Sequence, residues 1–230
     1  MKVYDILHHH TGGRTYPWAS GYNPIKEMPW WDTVSNVNVV ARMGYWSVNP
    51  GKPGMDIDPG GRIWSEVIGC SLGCPREFYS EKVIADLEEA GIRYLRKTEM
   101  PIATNKAKTL LKLRAPKYYV LEAERGIERD HEAMGVSLDA DGKPDWANFQ
   151  LKVIRKFTIS LDENGERAYG NALPELREPY IFRKDSWNGN ALFADNRLAT
   201  TVLYCTDQLK NLAEEKGWRN IEFKEIGYMK

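Results

Sequence analysis

The sequence predicts a single α+β domain in which mixed or antiparallel sheets carry two main helices. Two segments, residues 80–90 and 206–216, each combine a polar first residue, an apolar stripe and a following glycine, as amphipathic helices do. Several other runs alternate apolar and polar residues, which is typical of half-buried strands. A chain of 230 residues can bury a substantial core as one domain.

Residues 1–65 are expected to form an irregular cap over the sheets. The segment from Thr11 to Trp31 is dense in glycine and proline, which favours loops and short strands over helices. Residues 34–46 are rich in valine and predict a strand within this cap. Proline and glycine clusters at residues 49–54 and 58–61 predict turns.

A first strand–helix–strand unit is predicted over residues 66–100. Its helix runs from Ser80 to Ala90, because Ser80 is a favourable N-cap and Gly91 supplies the stop at the other end. Residues 92–96 alternate in polarity and predict the strand that follows.

The middle of the chain, residues 101–185, is predicted to be rich in strands. Strands are predicted at residues 110–114, 118–121 and 150–161. Asp-Gly and Asn-Gly sequences predict turns at residues 138–143 and 162–165. A third helix is predicted within residues 122–134.

A second unit, residues 186–230, again runs strand, helix, strand. Residues 200–204 are β-branched and aromatic and predict the first strand. Thr206 begins a helix that ends at Lys216, before Gly217. Residues 218–223 alternate as a terminal strand.

The two units resemble each other at one constant offset. Residues 78–95 align with residues 204–221 without a gap, and each unit contains a Glu-Glu pair and then Gly-x-Arg. This similarity predicts a strand–helix–strand unit that is used twice. The alternative is that any two capped amphipathic helices share such features.

Composition and charge argue against several classes of protein. The 32 basic residues balance the 32 acidic ones, which excludes a globally basic nucleic-acid binder but allows local patches. No apolar run is long enough for a membrane helix, and the start of the chain has no apolar region typical of a signal peptide. With three scattered cysteines, these features predict a cytoplasmic, reducing location.

Neither a metal nor an organic cofactor is expected. Cys70 and Cys74 have a spacing at which two thiolates bind zinc, but a structural site needs four ligands, which Cys205 and a distant histidine would have to complete. Histidines 8–10 are interpreted as exposed loop residues, since consecutive side chains on a strand face opposite ways. His131 is isolated, and no catalytic motif is present, so the sequence favours a protein that is not an enzyme.

The predicted partner-binding residues are tryptophans in loops and acids in turns. The eight tryptophans suit either core packing or a recognition surface. The ones assigned to a recognition surface lie in a proline-rich loop and beside Asn-Gly, and they are Trp30, Trp31 and Trp187. The acidic candidates are Asp56, Asp58, Asp139 and Asp141, of which the last two lie in the turn at residues 138–143.

A basic run between residues 106 and 117 has no acidic residue within it. Its members are Lys106, Lys108, Lys112, Arg114 and Lys117. Such a run suits binding of phosphate or of an acidic protein face, or it forms a solvated surface.

Three C-terminal segments, residues 188–193, 199–207 and 214–223, resemble the signature of one group of bacterial immunity proteins. These are the immunity proteins of polymorphic toxins that are related to the myxobacterial double-CXXCG proteins. Residues 78–95 are similar to the corresponding upstream unit. The chain has no Cys-x-x-Cys-Gly sequence, so the zinc site of that group is not expected here.

The resemblance implies a cytoplasmic protein that binds a cognate antibacterial toxin domain and blocks its active site. The toxin would belong to an Rhs, type VI-delivered or contact-dependent system. Such an inhibitor needs a rigid scaffold, aromatic anchors and complementary charges, without direct contact with nucleic acid or membrane. Two alternatives are a small enzyme that uses histidines 8–10, His131 and acids, and a metal-stabilised adaptor domain.

Overall fold

Two mixed β-sheets and two complete α-helices make up most of the described part of the chain, and residues 146–149 are also helical. This architecture confirms the predicted α+β class. The structure is a computed structural model, and it describes residues 1–8, 15–23, 54–70, 77–149, 179–196 and 201–230. No helix in these ranges is both long enough and apolar enough to span a membrane.

The strands and helices of the described residues are numbered in chain order. The strands of the first 130 residues are β1 (Lys2–Leu7), β2 (Trp18–Asn23), β3 (Gly54–Ile57), β4 (Val67–Cys70), β5 (Glu77–Ser80), β6 (Arg96–Glu99), β7 (Ile102–Asn105), β8 (Tyr118–Glu122) and β9 (Arg125–Ile127). The later strands are β10 (Tyr180–Phe182), β11 (Leu192–Asp195), β12 (Leu203–Thr206) and β13 (Glu222–Met229). The α-helices are α1 (Glu81–Glu89) and α2 (Asp207–Glu215).

Each sheet combines antiparallel and parallel neighbours. The first sheet has the order β6-β8-β5-β4-β2-β3-β7, and its parallel pairs are β2 with β4 and β3 with β7. The second sheet has the order β10-β13-β1-β12-β11-β9, and its parallel pairs are β10 with β13 and β9 with β11. Strand β1, from the region expected as an irregular cap, therefore lies inside the second sheet.

The main hydrophobic core is shared by both sheets and both helices. Alternate strand residues such as Val67, Tyr79 and Leu121 of the first sheet meet Ile6, Leu192 and Leu203 of the second, together with Leu87 and Leu209 of the helices. The intervening residues point to the opposite faces, as the twofold period of a strand requires. There they form separate clusters, one around Ile68, Phe78 and Tyr118 and the other around Val3, Phe193 and Tyr204.

Both predicted helices are confirmed within one residue of their expected ends. The Ser80 hydroxyl accepts a hydrogen bond from the Val83 N–H at 3.5 Å, whereas the Thr206 side chain makes no such capping bond. Gly91 and Gly217 follow the two helices with φ values of 66° and 65°, a left-handed conformation that favours glycine. The local signals read from the sequence thus coincide with the observed caps.

The same strand pairings surround each helix. The strands before and after α1, β5 and β6, both lie antiparallel to β8, and the strands before and after α2, β12 and β13, both lie antiparallel to β1. Beyond them, β4 pairs in parallel with β2, and β11 pairs in parallel with β9. Corresponding Cα partners are Arg96 with Glu122 and Glu222 with Leu7, and then Glu99 with Tyr119 and Glu225 with Tyr4. This correspondence supports the predicted duplication, which stays a prediction.

Reciprocal hydrogen bonds tie the two units together at the Gly-x-Arg positions. The Arg93 N–H donates to Asn190 Oδ1 at 3.0 Å, and the Arg219 N–H donates to Glu66 Oε2 at 3.0 Å. Trp218, which aligns with the core residue Ile92, is buried as expected, and its Nε1–H donates to Asp86 Oδ2 at 2.7 Å. The two arginines thus occupy matching places at the joint between the units.

Several predicted elements differ from those observed. Residues 110–114 are not a strand, since Leu110–Lys112 form a 3₁₀ turn. Its buried residue is Leu110, and Ala107, three positions earlier, is buried just before the turn. The helix predicted within residues 122–134 is wrong, because the chain there forms β9 and then a turn at residues 131–135. The segment forms strand β9 because it pairs with β11 and buries Ile127.

Other predicted strands are shifted along the chain. The strand predicted at residues 92–96 begins at Arg96, and the one predicted at residues 200–204 begins at Leu203. The terminal strand begins at Glu222, because Asn220 has a φ of 63° that interrupts an extended chain. The predicted strands at residues 34–46 and 150–161, and the turn at residues 162–165, lie outside the described residues.

Candidate functional site

The turn at residues 138–143 is an ordered, exposed and acidic loop, here called the Asp139 turn. A backbone bridge between Leu138 and Pro144 closes it. The Asp139 carboxylate accepts hydrogen bonds from the N–H groups of Asp141 and Lys143 at 2.9 and 2.8 Å, and Gly142 has a φ of 75°. The turn predicted from Asp-x-Asp-Gly is confirmed.

Side chains at the surface of the Asp139 turn combine charge with apolar area. Asp139 and Asp141 are both exposed, and the neighbouring Leu138 is 56% exposed. Because the turn is closed by its own hydrogen bonds, its backbone and the Asp139 carboxylate are held in place before any partner arrives. An exposed leucine beside two exposed carboxylates can contact a basic protein face that has an apolar centre.

Asp56 lies in β3 and Asp58 lies just after it, far from the Asp139 turn in the sequence. Both residues are half-buried. The Thr104 hydroxyl on β7 donates to Asp56 Oδ1 at 2.6 Å, so this carboxylate helps join the two strands. Part of its hydrogen-bonding capacity therefore serves the sheet, and it is a weaker partner-binding candidate than Asp139 or Asp141.

Trp187 is half-buried and has a packing role. Its Nε1–H donates to the Asn190 carbonyl oxygen at 2.9 Å, and its ring packs against the cluster that contains Val3 and Phe193. The side chain thus fixes the loop before β11 and leaves only part of its ring for a partner. Trp30 and Trp31 lie outside the described residues.

The basic run forms a compact surface turn and not the predicted strand. Leu110 and Ala107 are buried, while the residues from Leu111 to Ala115 are all exposed. Among the cations of this segment, Lys117 lies 3.6 Å from Glu99. This surface, residues 106–117, is called the basic turn below.

His8 is buried and not an exposed loop residue, so that expectation is wrong. Its ring lies against the backbone of Gly69 on β4, where any Cβ would overlap the ring. His8 Nδ1 lies 3.3 Å from Oε1 of Glu77, a carboxylate that is also buried. The pair connects the end of β1 in the second sheet to β5 in the first sheet. His131 lies in the turn at residues 131–135, and the other two histidines of the triplet are outside the described residues.

A second buried charged pair was not expected from the sequence. Arg129, just after β9, forms an ion pair with Asp195 on β11, and both side chains are almost completely buried. The guanidinium carbon of Arg129 lies 4.0 Å from the ring centroid of Tyr180. The ion pair joins the segment after β9 to β11 at one edge of the second sheet. In the sequence, only the adjacent apolar residues indicate that these two charged residues are buried.

The cysteines lie in separate cores. Cys70 packs in the cluster of the first sheet, whereas Cys205 lies in the shared core, where burial raises the pKa of its thiol well above the ordinary value. They therefore do not join in one zinc site, and Cys74 is outside the described residues. Within the described ranges, no group of three or more His, Cys, Asp or Glu residues is placed to hold a metal ion.

The acidic segment between Glu122 and Asp130 offers less surface charge than its sequence indicates. Glu122 is buried on β8, 3.8 Å from Arg96, and Asp130 accepts a hydrogen bond from the Ala133 N–H at 2.9 Å.

Comparison with known proteins adds no assignment, since no protein-family model and no curated protein matches the chain.

Proposed function

We propose that this chain is an immunity protein that binds a cognate antibacterial toxin domain and blocks its active site. The observation that carries the proposal is the Asp139 turn, in which two exposed carboxylates and Leu138 are held in a fixed loop. Apolar anchors ringed by polar groups are the usual make-up of protein-binding surfaces. The similarity of the two repeated units to polymorphic-toxin immunity proteins supports the choice of partner.

The scaffold suits an inhibitor because an ion pair and a hydrogen bond join its two repeated units. Lys216 Nζ contacts Glu89 at 2.7 Å, and Lys82 Nζ donates to the Lys216 carbonyl oxygen at 2.9 Å, so the two helices are joined at the surface as well as in the core. A rigid binder loses little conformational entropy when it docks. Exposed carboxylates on such a body speed association with a basic face, such as that of a nuclease, in the cytoplasm of the producing cell.

The direct test is rescue of growth. The toxin domain encoded by the gene directly upstream is expressed in a bacterial host with and without this chain. We expect the toxin alone to stop growth, co-expression to restore it, and the purified proteins to form a stoichiometric complex. Continued arrest together with no complex would contradict the proposal.

Charge reversal at the Asp139 turn tests the surface itself. Asp141→Lys should weaken toxin binding by about tenfold, because it replaces an attractive charge by a repulsive one without removing a hydrogen bond from the turn. Asp139→Asn keeps the Oδ1 acceptor and should weaken binding less. Glu215→Lys makes the same charge change at an exposed position on α2 and serves as the matched control. Equal effects of the Asp141 and Glu215 changes on the dissociation constant would rule out the turn as the contact.

The second candidate, a small enzyme, is favoured by the buried His8–Glu77 pair, since an imidazole held beside a carboxylate is a common acid–base arrangement. Expression of the chain alone separates the two candidates. An enzyme of the toxic type would slow growth, and His8→Gln would relieve that effect. An immunity protein leaves growth unchanged.

A further inference from the structure

We propose that the basic turn, residues 106–117, is a second docking surface that binds an acidic protein face with an apolar centre. This inference rests on the proposed function in one respect, because it takes the acidic face to belong to the cognate toxin domain. It predicts that the toxin presents charges of both signs to this chain, and not only the basic face that the Asp139 turn suits.

The basic turn is anchored to the first sheet. The Lys106 N–H donates to the Ile57 carbonyl oxygen at 3.0 Å, and the Ala107 N–H donates to Asn105 Oδ1 at 2.9 Å. Leu110 is completely buried in the cluster of the first sheet and fixes the 3₁₀ turn from below. The exposed side chains that follow are therefore presented from a fixed base.

Two large apolar side chains project from this base. Leu111 is 64% exposed and Leu113 is 46% exposed, on either side of Lys112. A single exposed leucine is common, and the second one adds apolar area to the same short stretch of surface.

Four cations around the leucines have no acidic partner among the described residues. Within the described ranges, no carboxylate forms an ion pair with the side chains of Lys106, Lys108, Lys112 or Arg114. Cations elsewhere contrast with them, for example the exposed Lys97 at 2.7 Å from Glu88 and the half-buried Lys216 at 2.7 Å from Glu89. A surface with several unmatched cations around leucines complements an acidic surface that has an apolar centre.

A protein partner explains this combination better than a nucleic acid or a membrane. The segment from Lys106 to Lys117 contains no aromatic residue on which bases stack. Its apolar part is limited to one short turn, whereas membrane-surface binding relies on a long amphipathic helix. Two exposed leucines flanked by cations suit a small contact with the surface of a folded protein.

The test is a set of matched variants in a binding assay with the toxin domain encoded directly upstream. Arg114→Glu and Leu111→Ser should each weaken binding by about tenfold, and Arg114→Glu should also make binding less sensitive to salt. The controls are Arg125→Glu, at an exposed arginine on β9 of the second sheet, and Leu95→Ser, at a leucine that is 56% exposed. They should change the dissociation constant by less than about twofold, and thermal melting should show all four variants folded.

The outcomes separate this inference from the proposed function. If the wild-type chain binds the toxin and all four variants bind equally well, the inference is wrong and the immunity proposal stands. If the wild-type chain does not bind the toxin, both fail. A parallel assay uses phosphatidylserine vesicles and a DNA duplex. If Arg114→Glu reduces binding to either of them but not to the toxin, the protein assignment is overturned.

Discussion

Glu66 forms a charged contact between the two units. Its carboxylate accepts hydrogen bonds from Arg219 Nε at 2.8 Å and from the Arg219 N–H at 3.0 Å. Burial alone would raise the pKa of this carboxyl, but the bonds from Arg219 outweigh burial and hold the pKa below its usual value. The folded state therefore favours the charged form. This stabilisation is present above the usual carboxyl pKa and is lost as the pH falls through the lowered pKa.

Glu66→Gln should lower the free energy of unfolding by about 1–3 kcal/mol at neutral pH, because it removes a charged acceptor from a partly buried site. The difference from wild type should shrink as the pH falls below the carboxyl range, where Glu66 is itself neutral. Urea unfolding at a series of pH values measures this. Asp185→Asn, at an exposed ion pair with Arg183, is the control and should cause no measurable change. A loss that is the same at every pH would contradict the linkage.

The buried pairs show what single residues do not reveal in a sequence. His8 and Glu77 are 69 positions apart, and His8 follows a run that alternates only weakly in polarity. Arg129 and Asp195 likewise meet only because β9 and β11 are neighbours. Because side chains of these types are mostly exposed in proteins, residue type alone predicts that all four lie at the surface. Only the strand order brings them inside.

At the scale of elements, the two helices were predictable because their signals are local. The residues that mark the first helix are close together in the sequence: Ser80 at its start, the apolar stripe of α1 and Gly91 after its end. Each of these signals depends only on neighbouring residues. The 3₁₀ turn at Leu110 was not, since a run of leucines and lysines fits a strand and a helical turn equally well. Strand β9 was missed because its pairing with β11, and not its own sequence, makes it a strand.

The glycines after the two helices give a matched prediction. Gly91→Ala and Gly217→Ala should each lower the free energy of unfolding by about 1 kcal/mol, because alanine resists the left-handed conformation. No atom lies within 4 Å of an added Cβ at either position, so steric overlap does not contribute. Asparagine tolerates this conformation better and should cost less than alanine at both sites. Chemical unfolding measures the series, and equal losses for alanine and asparagine would point to another cause.

At the scale of the whole molecule, the first and last residues of this chain are neighbours. The Met229 N–H donates to the Met1 carbonyl oxygen at 2.8 Å, at the point where β1 and β13 pair. A short Gly-Ser linker between Lys230 and Met1 would make the second unit continuous. New ends can be placed at Gly142, in an exposed turn.

This circular permutant should fold and unfold cooperatively, with a melting temperature within about 5 °C of the parent. Removal of residues 1–7 without relocation should abolish cooperative unfolding, because Val3, Tyr4 and Ile6 are buried and β1 separates β12 from β13. Circular dichroism during heating distinguishes the two. A truncated chain that melts like the parent would show that β1 is dispensable.

Only those features of the candidate surfaces that depend on neighbouring residues could be predicted from the sequence. The Asp139 turn follows from Asp-x-Asp-Gly, and the structure fixes it as an exposed loop. Trp187 looked like a surface anchor from its Asn-Gly neighbour, but packing against the Val3 cluster takes up part of its ring. The exposure of Leu111 and Leu113 depends on how Leu110 is buried, which a charge pattern does not disclose.

The position of β1 also determines when the second sheet can form. This strand is synthesised before the other described strands, yet it pairs with β12 and β13, and the Tyr4 hydroxyl donates to Asp207, 203 residues later. The first sheet contains neither β1 nor any strand after β8, so it can assemble while the later strands are still being made. Until β12 and β13 are made, Val3 and Ile6 lack the strands that cover them, so we expect closure of the second sheet to be a late, slow step and nascent β1 to be a target for chaperones.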